Sequence, residues 1–290
     1  MTTLAAPATV KRSRRARPRP DGWAWLGIVI VAIGLFLAVF GPMIAPHDVG
    51  KLSTGVFAPP GDGHALGGDV LGRDVLTRLL YGARLTVGAA LAATTLGFLI
   101  GMAIGFAAAE IRGRFDDIVT WAIDALLSFP PILFALIIIA ALSAELWVLV
   151  VTIAVIQSTR VARVSRALGM NVAALEFVEV ARARGEGLVS ILVREIWPST
   201  IRPLAAEFGL RLTFSILFVS SLSFLGLGIQ PPDADWGSMV RENMTALSTG
   251  NYISVLAPAL SIAVLTIGVN LIVDWLGSQS GRAISEELTS

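Results

Sequence analysis

The sequence predicts an all-α membrane protein that crosses the bilayer with six helices. Its 290 residues are 55% hydrophobic and only 15% charged, whereas a soluble domain ordinarily carries about 25% charged residues. Apolar runs also recur along the chain, and several match the roughly 20 helical residues needed to cross a bilayer core of about 30 Å. Both observations indicate repeated membrane crossings rather than one soluble core.

The predicted organisation is one membrane domain between two polar tails. Residues 1–21 are rich in Arg and Pro and are expected to form a disordered basic tail. Residues 22–276 form the six-helix domain, and residues 277–290 form a second, short tail. The apolar runs place the spans at about 23–44, 85–109, 118–142, 146–158, 204–227 and 252–276, and an extension of the fourth span at either end stays open.

Two local features modify this pattern. Pro130 and Pro131 remove backbone hydrogen bonds inside the third span, which predicts a kink or a break there. Residues 74–81 have helical character but precede the apolar run of the second span, so we expect them to lie along the membrane surface.

The charge distribution predicts the orientation. Lys and Arg concentrate in the N-terminal tail, in the turn at 112–114 and in the polar segment 160–203. The positive-inside rule makes these segments cytoplasmic, and six spans place both termini on that same side. Because each basic cluster flanks an apolar span, the expected partner is the lipid bilayer, and no nucleic acid is expected.

The polar segment 160–203 has a distinctive internal pattern. Residues 171–184 contain good helix formers with an apolar stripe, and Gly185 and Gly187 allow a positive φ that would end this helix. Residues 188–197 predict a second short helix that Pro198 stops. The small residues Ala181 and Ala183 would allow close approach to a partner groove. An amphipathic helix lying passively on the headgroups is the alternative.

This segment resembles the EAA loop of ABC importer permeases. Val180 stands where that family usually has Ala, and Trp197 where it usually has Leu. The resemblance implies that the segment couples the membrane domain to ATPase subunits. The implied coupling residues are Glu176, Glu179, Val180, Ala181, Arg182, Gly185, Gly187, Trp197 and Pro198.

Three further motifs resemble dipeptide/oligopeptide-type ABC importer permeases, from residue 64 to the sixth span. They are His64-Ala65-Leu66-Gly67 with the run 71–84, then Asp124–Pro130, then 222–228 followed by Gln230-Pro231-Pro232 and Trp236-Gly237. Ala65 replaces a usual Pro. The resemblance implies the type I ABC importer permease fold in the bacterial cytoplasmic (inner) membrane.

The same resemblance implies a function and its partners. The chain would form a peptide pathway with a second, homologous permease, two ATPase subunits that use ATP and Mg, and an extracytoplasmic solute-binding protein. Nickel chelates, opines and glutathione-like solutes remain open as substrates. The expected pathway residues are Asp124, Phe129, Pro130, Ser223 and Phe224.

Charged residues near the spans have competing interpretations. Asp124 at membrane depth is either functional or a capping or ion-pairing group near the cytoplasmic interface. Glu207 and Arg211 are four residues apart and predict an ion pair on one helix face. An ion-coupled secondary carrier would need paired repeats and buried ionisable residues, and Asp124 alone is a weak basis for one.

Several functions lack their residues in this sequence. No segment fits the phosphate-binding pattern G-x-x-x-x-G-K-[ST], and neither an HExxH motif nor a nucleophile elbow occurs. We therefore expect no catalytic activity and no bound cofactor in this chain. Cysteine is absent, which excludes disulfides and thiolate metal sites. His47 and His64 are too few for a cage of histidines, so no metal site is expected.

Overall fold

The computed structural model describes residues 21–230 and 233–289, so the predicted tail 1–21 lies almost wholly outside the described part. Within these ranges the chain is helical, and the predicted all-α class is confirmed. The helices are α1 (Gly22–Ile44), α2 (Val75–Ile111), α3 (Gly113–Leu127), α4 (Pro131–Leu142), α5 (Leu146–Ala173), α6 (Glu176–Ala183), α7 (Leu188–Ile191), α8 (Trp197–Phe224), α9 (Trp236–Glu242), α10 (Ala246–Thr249) and α11 (Ile253–Thr289).

Five helical stretches of the described chain are long and apolar enough to cross a membrane. They are α1, α2, α5, the continuous run Leu188–Phe224 and the Ile253–Ser278 part of α11. The pair α3 and α4 makes a sixth crossing if the two count as one span. The axes of this pair differ by 86°, so the break predicted at Pro130 and Pro131 is present.

The most extensive helix contact joins α2 and α5. A Cβ atom on Gly97, Gly101 or Gly105 of α2 would lie no more than 2.6 Å from a carbonyl oxygen of α5. These glycines recur every fourth residue and so form one stripe along the helix. Small residues at such a stripe let two helix backbones approach closely in a membrane. We call this contact the α2–α5 seam.

The outer helices pack on this pair in an antiparallel arrangement. Gly27 near the start of α1 lies against Gly268 and Leu271 of α11, while Gly41 near its end lies against the backbone of Leu80 in α2. The start of α1 therefore lies at the same end of the molecule as the later part of α11. The loop between α1 and α2 lies at the opposite end, together with the start of α2.

The expectation that residues 74–81 lie separately on the membrane surface is wrong. Asp74 caps α2, because its side chain accepts a hydrogen bond of 2.7 Å from the Thr77 N–H, and the helix then runs without a break to Ile111. Thr77 and Arg78 are polar but fully buried. The polarity of this turn reflects buried partners in the loops, not contact with headgroups.

Two other helices are longer than the apolar runs that predict them, and for α5 the sequence leaves such an extension open. Helix α5 continues past Ser158 to Ala173 because small residues such as Ala162 and Gly169 still face α2. Helix α11 continues beyond residue 276 to Thr289, so the segment expected as a polar tail is helical over its described part. Hydropathy marks where the apolar surface ends, not where the backbone hydrogen bonding ends.

Candidate functional site

Helix α6 lies beside the end of α2 and buries one apolar face. Val178 and Ala181 are fully buried. Val178 belongs to a cluster with Val172 of α5 and Phe106 of α2, and residues Ile191 and Ile196 complete it from the following segment. The α6 segment is therefore packed onto the protein and does not project as a free helix.

An ion pair fixes α6 to the end of α2. The Arg182 guanidinium donates from Nε and from an Nη atom to the two carboxylate oxygens of Glu110, each at 2.7 Å. This two-point geometry is the strong form of an Arg–carboxylate contact. The hydrogen bonds from Arg182 to Glu110 raise the pKa of Arg182. The residue predicted to contact an ATPase thus also anchors its own helix.

The turn after α6 depends on Gly185. Its φ is +79°, and its N–H donates to the Arg182 carbonyl at 2.9 Å while the Glu186 N–H donates to the Ala181 carbonyl at 3.2 Å. These bonds form a Schellman ending, which favours glycine at the left-handed position. Gly187 has an ordinary φ of −74°, so the positive φ expected there is wrong.

The prediction of one helix over residues 171–184 is also wrong. The chain bends between α5 and α6, where Leu175 adopts an extended conformation with ψ of 146°. A straight continuation of α5 would carry Val178 and Ala181 away from the cluster that buries Val172. The bend brings Val178 and Ala181 back to this cluster. Burial of these side chains therefore decides the conformation here, rather than the helix propensity of residues 171–184. Leu175 itself is exposed.

Pro198 does not stop the helix that precedes it. Helix α7 passes into a wide turn at Leu192–Ile196, in which the Trp197 N–H donates to the Leu192 carbonyl, and α8 continues from there. The wide turn inserts one extra residue, and Pro198 then falls in the first turn of α8, where a missing N–H is tolerated. Trp197 and Pro198 thus form the first turn of α8, inside the continuous helical run Leu188–Phe224.

The side of this segment that faces away from the protein is apolar with acidic neighbours. Val180 and Val189 are 53% and 72% exposed, and Phe177 and Val193 are also exposed. The carboxylates of Glu176 and Glu179 are exposed on α6. Hence α6 and α7 present unpartnered apolar side chains on an element whose own position is fixed by burial and by an ion pair.

The predicted pathway residues do not meet at one place. Asp124 pairs with Arg163 of α5 at 2.5 Å, and both side chains are exposed. Asp116, two turns earlier in α3, makes a two-point ion pair with Arg166. Phe129 lines a small cavity with Phe134 and Arg160. Pro130 is the exposed residue that precedes α4.

The two remaining pathway residues lie at the end of α8. Ser223 is buried, whereas Phe224 lines an open, mostly apolar groove between α8 and α11. Thus Phe129 and Phe224 belong to different concavities of this chain. The ion pair predicted between Glu207 and Arg211 is present at 2.6 Å.

A buried charge network at the opposite end escaped the sequence analysis. Asp69 accepts from Arg73 and from Arg78 at 2.7 Å each, and Glu242 accepts from the same two arginines at 2.8 Å. Arg78 is almost completely buried. The acidic residue of α9 is more than 160 positions from its partners, and no spacing rule could have connected them. The network joins the loop before α2 to α9.

Comparisons with known proteins agree with this architecture. A family model described as a binding-protein-dependent transport system inner membrane component matches residues 97–284. A protein of Brucella suis biovar 1, named as a peptide transport system permease, is 35% identical over 87% of this chain and 84% of its own length.

Two further relatives cover a similar length. A glutathione transport system permease protein of Pectobacterium atrosepticum is 32% identical over 86% of this chain and 85% of its own length. The dipeptide transport system permease protein DppC of Bacillus subtilis is 31% identical over 90% of this chain and 82% of its own length.

Proposed function

The chain belongs to the family of binding-protein-dependent transport system inner membrane components, as a permease of the dipeptide/oligopeptide type, and from this membership we propose that it forms part of the pathway of a peptide importer. The relatives named for peptide, dipeptide and glutathione transport support this substrate class. Glutathione-like solutes are the second candidate, because one of these relatives is named for glutathione.

The proposed importer contains more than this chain. A second permease would complete the pathway, an extracytoplasmic binding protein would deliver the solute, and two ATPase subunits would supply the energy from ATP and Mg. The chain itself would be a non-catalytic subunit. In this proposal the Arg-rich end that carries α6 faces the cytoplasm, and both termini would lie on that side.

The coupling element in this proposal is the α6–α7 segment. One observation carries it: Val180 and Val189 are strongly exposed on helices that are otherwise held by buried contacts and by Arg182–Glu110. Because this element is already ordered, its exposed apolar side chains can dock in a groove on a partner with little further loss of conformational entropy. Glu176 and Glu179 would add a charge preference at its edge.

Val180→Asp tests this coupling role. Val56→Asp is the matched control, because Val56 is 64% exposed in the loop between α1 and α2, at the opposite end of the molecule. Losing a central apolar contact costs about 2 kcal/mol or more, which weakens binding by more than tenfold. We expect Val180→Asp to lose the ATPase subunits during purification and Val56→Asp to keep them. Equal retention by both variants would refute the coupling role.

The orientation has its own test, helped by the absence of native cysteine. Single cysteines at Val189 and at the exposed Asp233 are treated with a membrane-impermeant thiol reagent in intact cells. We expect labelling at position 233 and none at position 189 until the cells are opened. The reverse pattern would overturn the proposed orientation while leaving the fold unaffected.

A further inference from the structure

Two histidines and a buried aspartate converge where the first loop meets α2. His47 follows α1, His64 lies near the end of the loop, and Asp74 is the capping residue of α2. His64 Nδ1 lies 2.9 Å from Asp74 Oδ1, and His47 Nδ1 lies 3.7 Å from Asp74 Oδ2. One ligand atom from each residue lies within 4.8 Å of the other two. These are the only histidines of the chain.

One nitrogen of this cluster has no hydrogen-bond partner among the described residues. His47 Nδ1 is buried, and its distance of 3.7 Å to the Asp74 carboxylate is too long for a hydrogen bond. Buried polar atoms are almost always paired in native proteins. The ring also stacks on His64, with ring centroids 4.5 Å apart, so both Nδ1 atoms lie beside the same carboxylate.

The surrounding contacts hold the three residues in position. The backbone N–H of His47 donates to the Thr77 hydroxyl at 3.3 Å, which ties the end of α1 to the first turn of α2. Asp74 Oδ2 accepts from the Thr77 N–H at 2.7 Å, which leaves Oδ1 as the oxygen directed to His64. The carboxylate is thus oriented by the helix that it caps, independently of the histidines.

We propose that His47, His64 and Asp74 form a binding site for a divalent transition-metal ion of the Zn²⁺ type at the loop end of the molecule. Two imidazole nitrogens and one carboxylate oxygen are a donor set that suits Zn²⁺ and leaves a fourth position for water or another ligand. Mg²⁺ and Ca²⁺ prefer sites made of oxygen ligands alone. A bound ion replaces the His64–Asp74 hydrogen bond and gives the unpaired His47 nitrogen a partner.

The site is separate from the proposed transport function, because it concerns the stability of the loop between α1 and α2. It cross-links the loop of residues 45–74 at its two ends, next to the Asp69–Arg73–Arg78–Glu242 network. The ion would therefore stabilise the loop end of the permease. The competing interpretation is a pair of stacked histidines in which only His64 makes a hydrogen bond to Asp74 and which binds no metal.

Metal titration of the full-length chain, purified with its accompanying subunits through a histidine-free tag, distinguishes the two. Zn²⁺ binding is measured by calorimetry, and Co²⁺ is used as a probe because its visible absorption reports coordination. We expect one Zn²⁺ per permease chain. His47→Ala and His64→Ala should each weaken its affinity by at least about tenfold, a loss that even outer-shell changes can cause.

Asp62→Asn is the matched control, because Asp62 is an exposed acid in the same loop with a φ of +48°, which Asn tolerates. It should bind Zn²⁺ as the parent does. Zn²⁺ should also raise the unfolding temperature of the parent and of Asp62→Asn but not of the histidine variants. If an alanine variant does not fold in chelator, the Gln variant at that position replaces it under the same criterion.

Three results would overturn the proposal. They are the absence of saturable Zn²⁺ binding, unchanged affinity in either histidine variant, and Mg²⁺ or Ca²⁺ binding as tight as that of Zn²⁺. None of these outcomes depends on transport activity, so the test separates this inference from the proposed function.

Discussion

Gly185 offers a direct test of how the turn after α6 works. Its φ of +79° is the left-handed region, and a Cβ atom built on it would meet no atom within 4 Å. A new side chain therefore acts only through the backbone, not through a clash. For a residue other than glycine this conformation costs about 1–2 kcal/mol, and a β-branched side chain fits it worst.

This cost predicts the size of the functional effect. If docking of ATPase subunits needs the native turn, a penalty of about 1–2 kcal/mol reduces the docked population by about 5–30-fold. Gly185→Val should show the full effect. Gly185→Asn is the matched control, because Asn has a similar volume but visits the left-handed region readily. Gly187→Ala, at a φ of −74° with open space around it, should cost less than Gly185→Val.

The assay compares substrate-stimulated ATP hydrolysis by the reconstituted complexes at limiting ATPase concentration. Hydrogen exchange at the Gly185 and Glu186 amides measures the turn itself, because both donate to carbonyls of α6. We expect Gly185→Val to lose stimulation and amide protection while Gly185→Asn keeps most of both. Equal behaviour of the Val and Asn variants would show that the left-handed turn is not what coupling needs.

Four further substitutions have predictable outcomes. Gly101→Ala places a Cβ atom 2.6 Å from the Ser158 carbonyl oxygen and should lower the free energy of unfolding by about 1–3 kcal/mol. Gly88→Ala in the same helix meets nothing within 4 Å, so thermal unfolding should show a slight gain in stability. Burial raises the pKa of Asp235, although hydrogen bonds from Ser238 and Gly237 oppose this. The contribution of Asp235 to the free energy of unfolding is therefore complete below its unfolded pKa of about 4 and is lost as pH rises through its folded pKa. Asp235→Asn should consequently unfold at a higher temperature than the parent at pH 8, but not near pH 4. Asp124→Asn breaks an exposed pair with Arg163 and should change the transport rate, not assembly, if Asp124 serves the pathway; failed assembly would assign it a structural role.

Features set by local chemistry were predictable from the sequence. The long apolar runs predict the membrane-spanning segments, since few charges interrupt them. Pro130 and Pro131 gave the break between α3 and α4, because proline removes helix hydrogen bonds whatever surrounds it. Gly185 was identified as a helix ending for the same reason, since glycine reaches a positive φ without steric cost. The family resemblance, carried by ordered motifs, is confirmed by the family model and the relatives.

Features set by distant partners were not predictable. No glycine or proline marks the bend at Leu175, which exists because a cluster from α2 and α5 buries Val178. Pro198 signals a stop in isolation, yet a wide turn just before it accommodates the ring. Arg78 belongs to the segment 74–81 that was expected on the membrane surface, but Glu242 of α9 accepts a hydrogen bond from it in the buried network. In each case the deciding atoms come from another helix, and a single sequence carries no record of that proximity.

The α2–α5 seam also has a mechanical consequence. With 37 residues at about 1.5 Å each, α2 is roughly 55 Å long, and its glycine stripe packs closely against α5. One end of this helix carries Asp74 and the histidine pair, and the other carries Glu110, which grips Arg182 of α6. Because α2 is unbroken between these two ends, we expect a displacement of Glu110 along the helix axis to move Asp74 and the loops at the far end of the molecule as well.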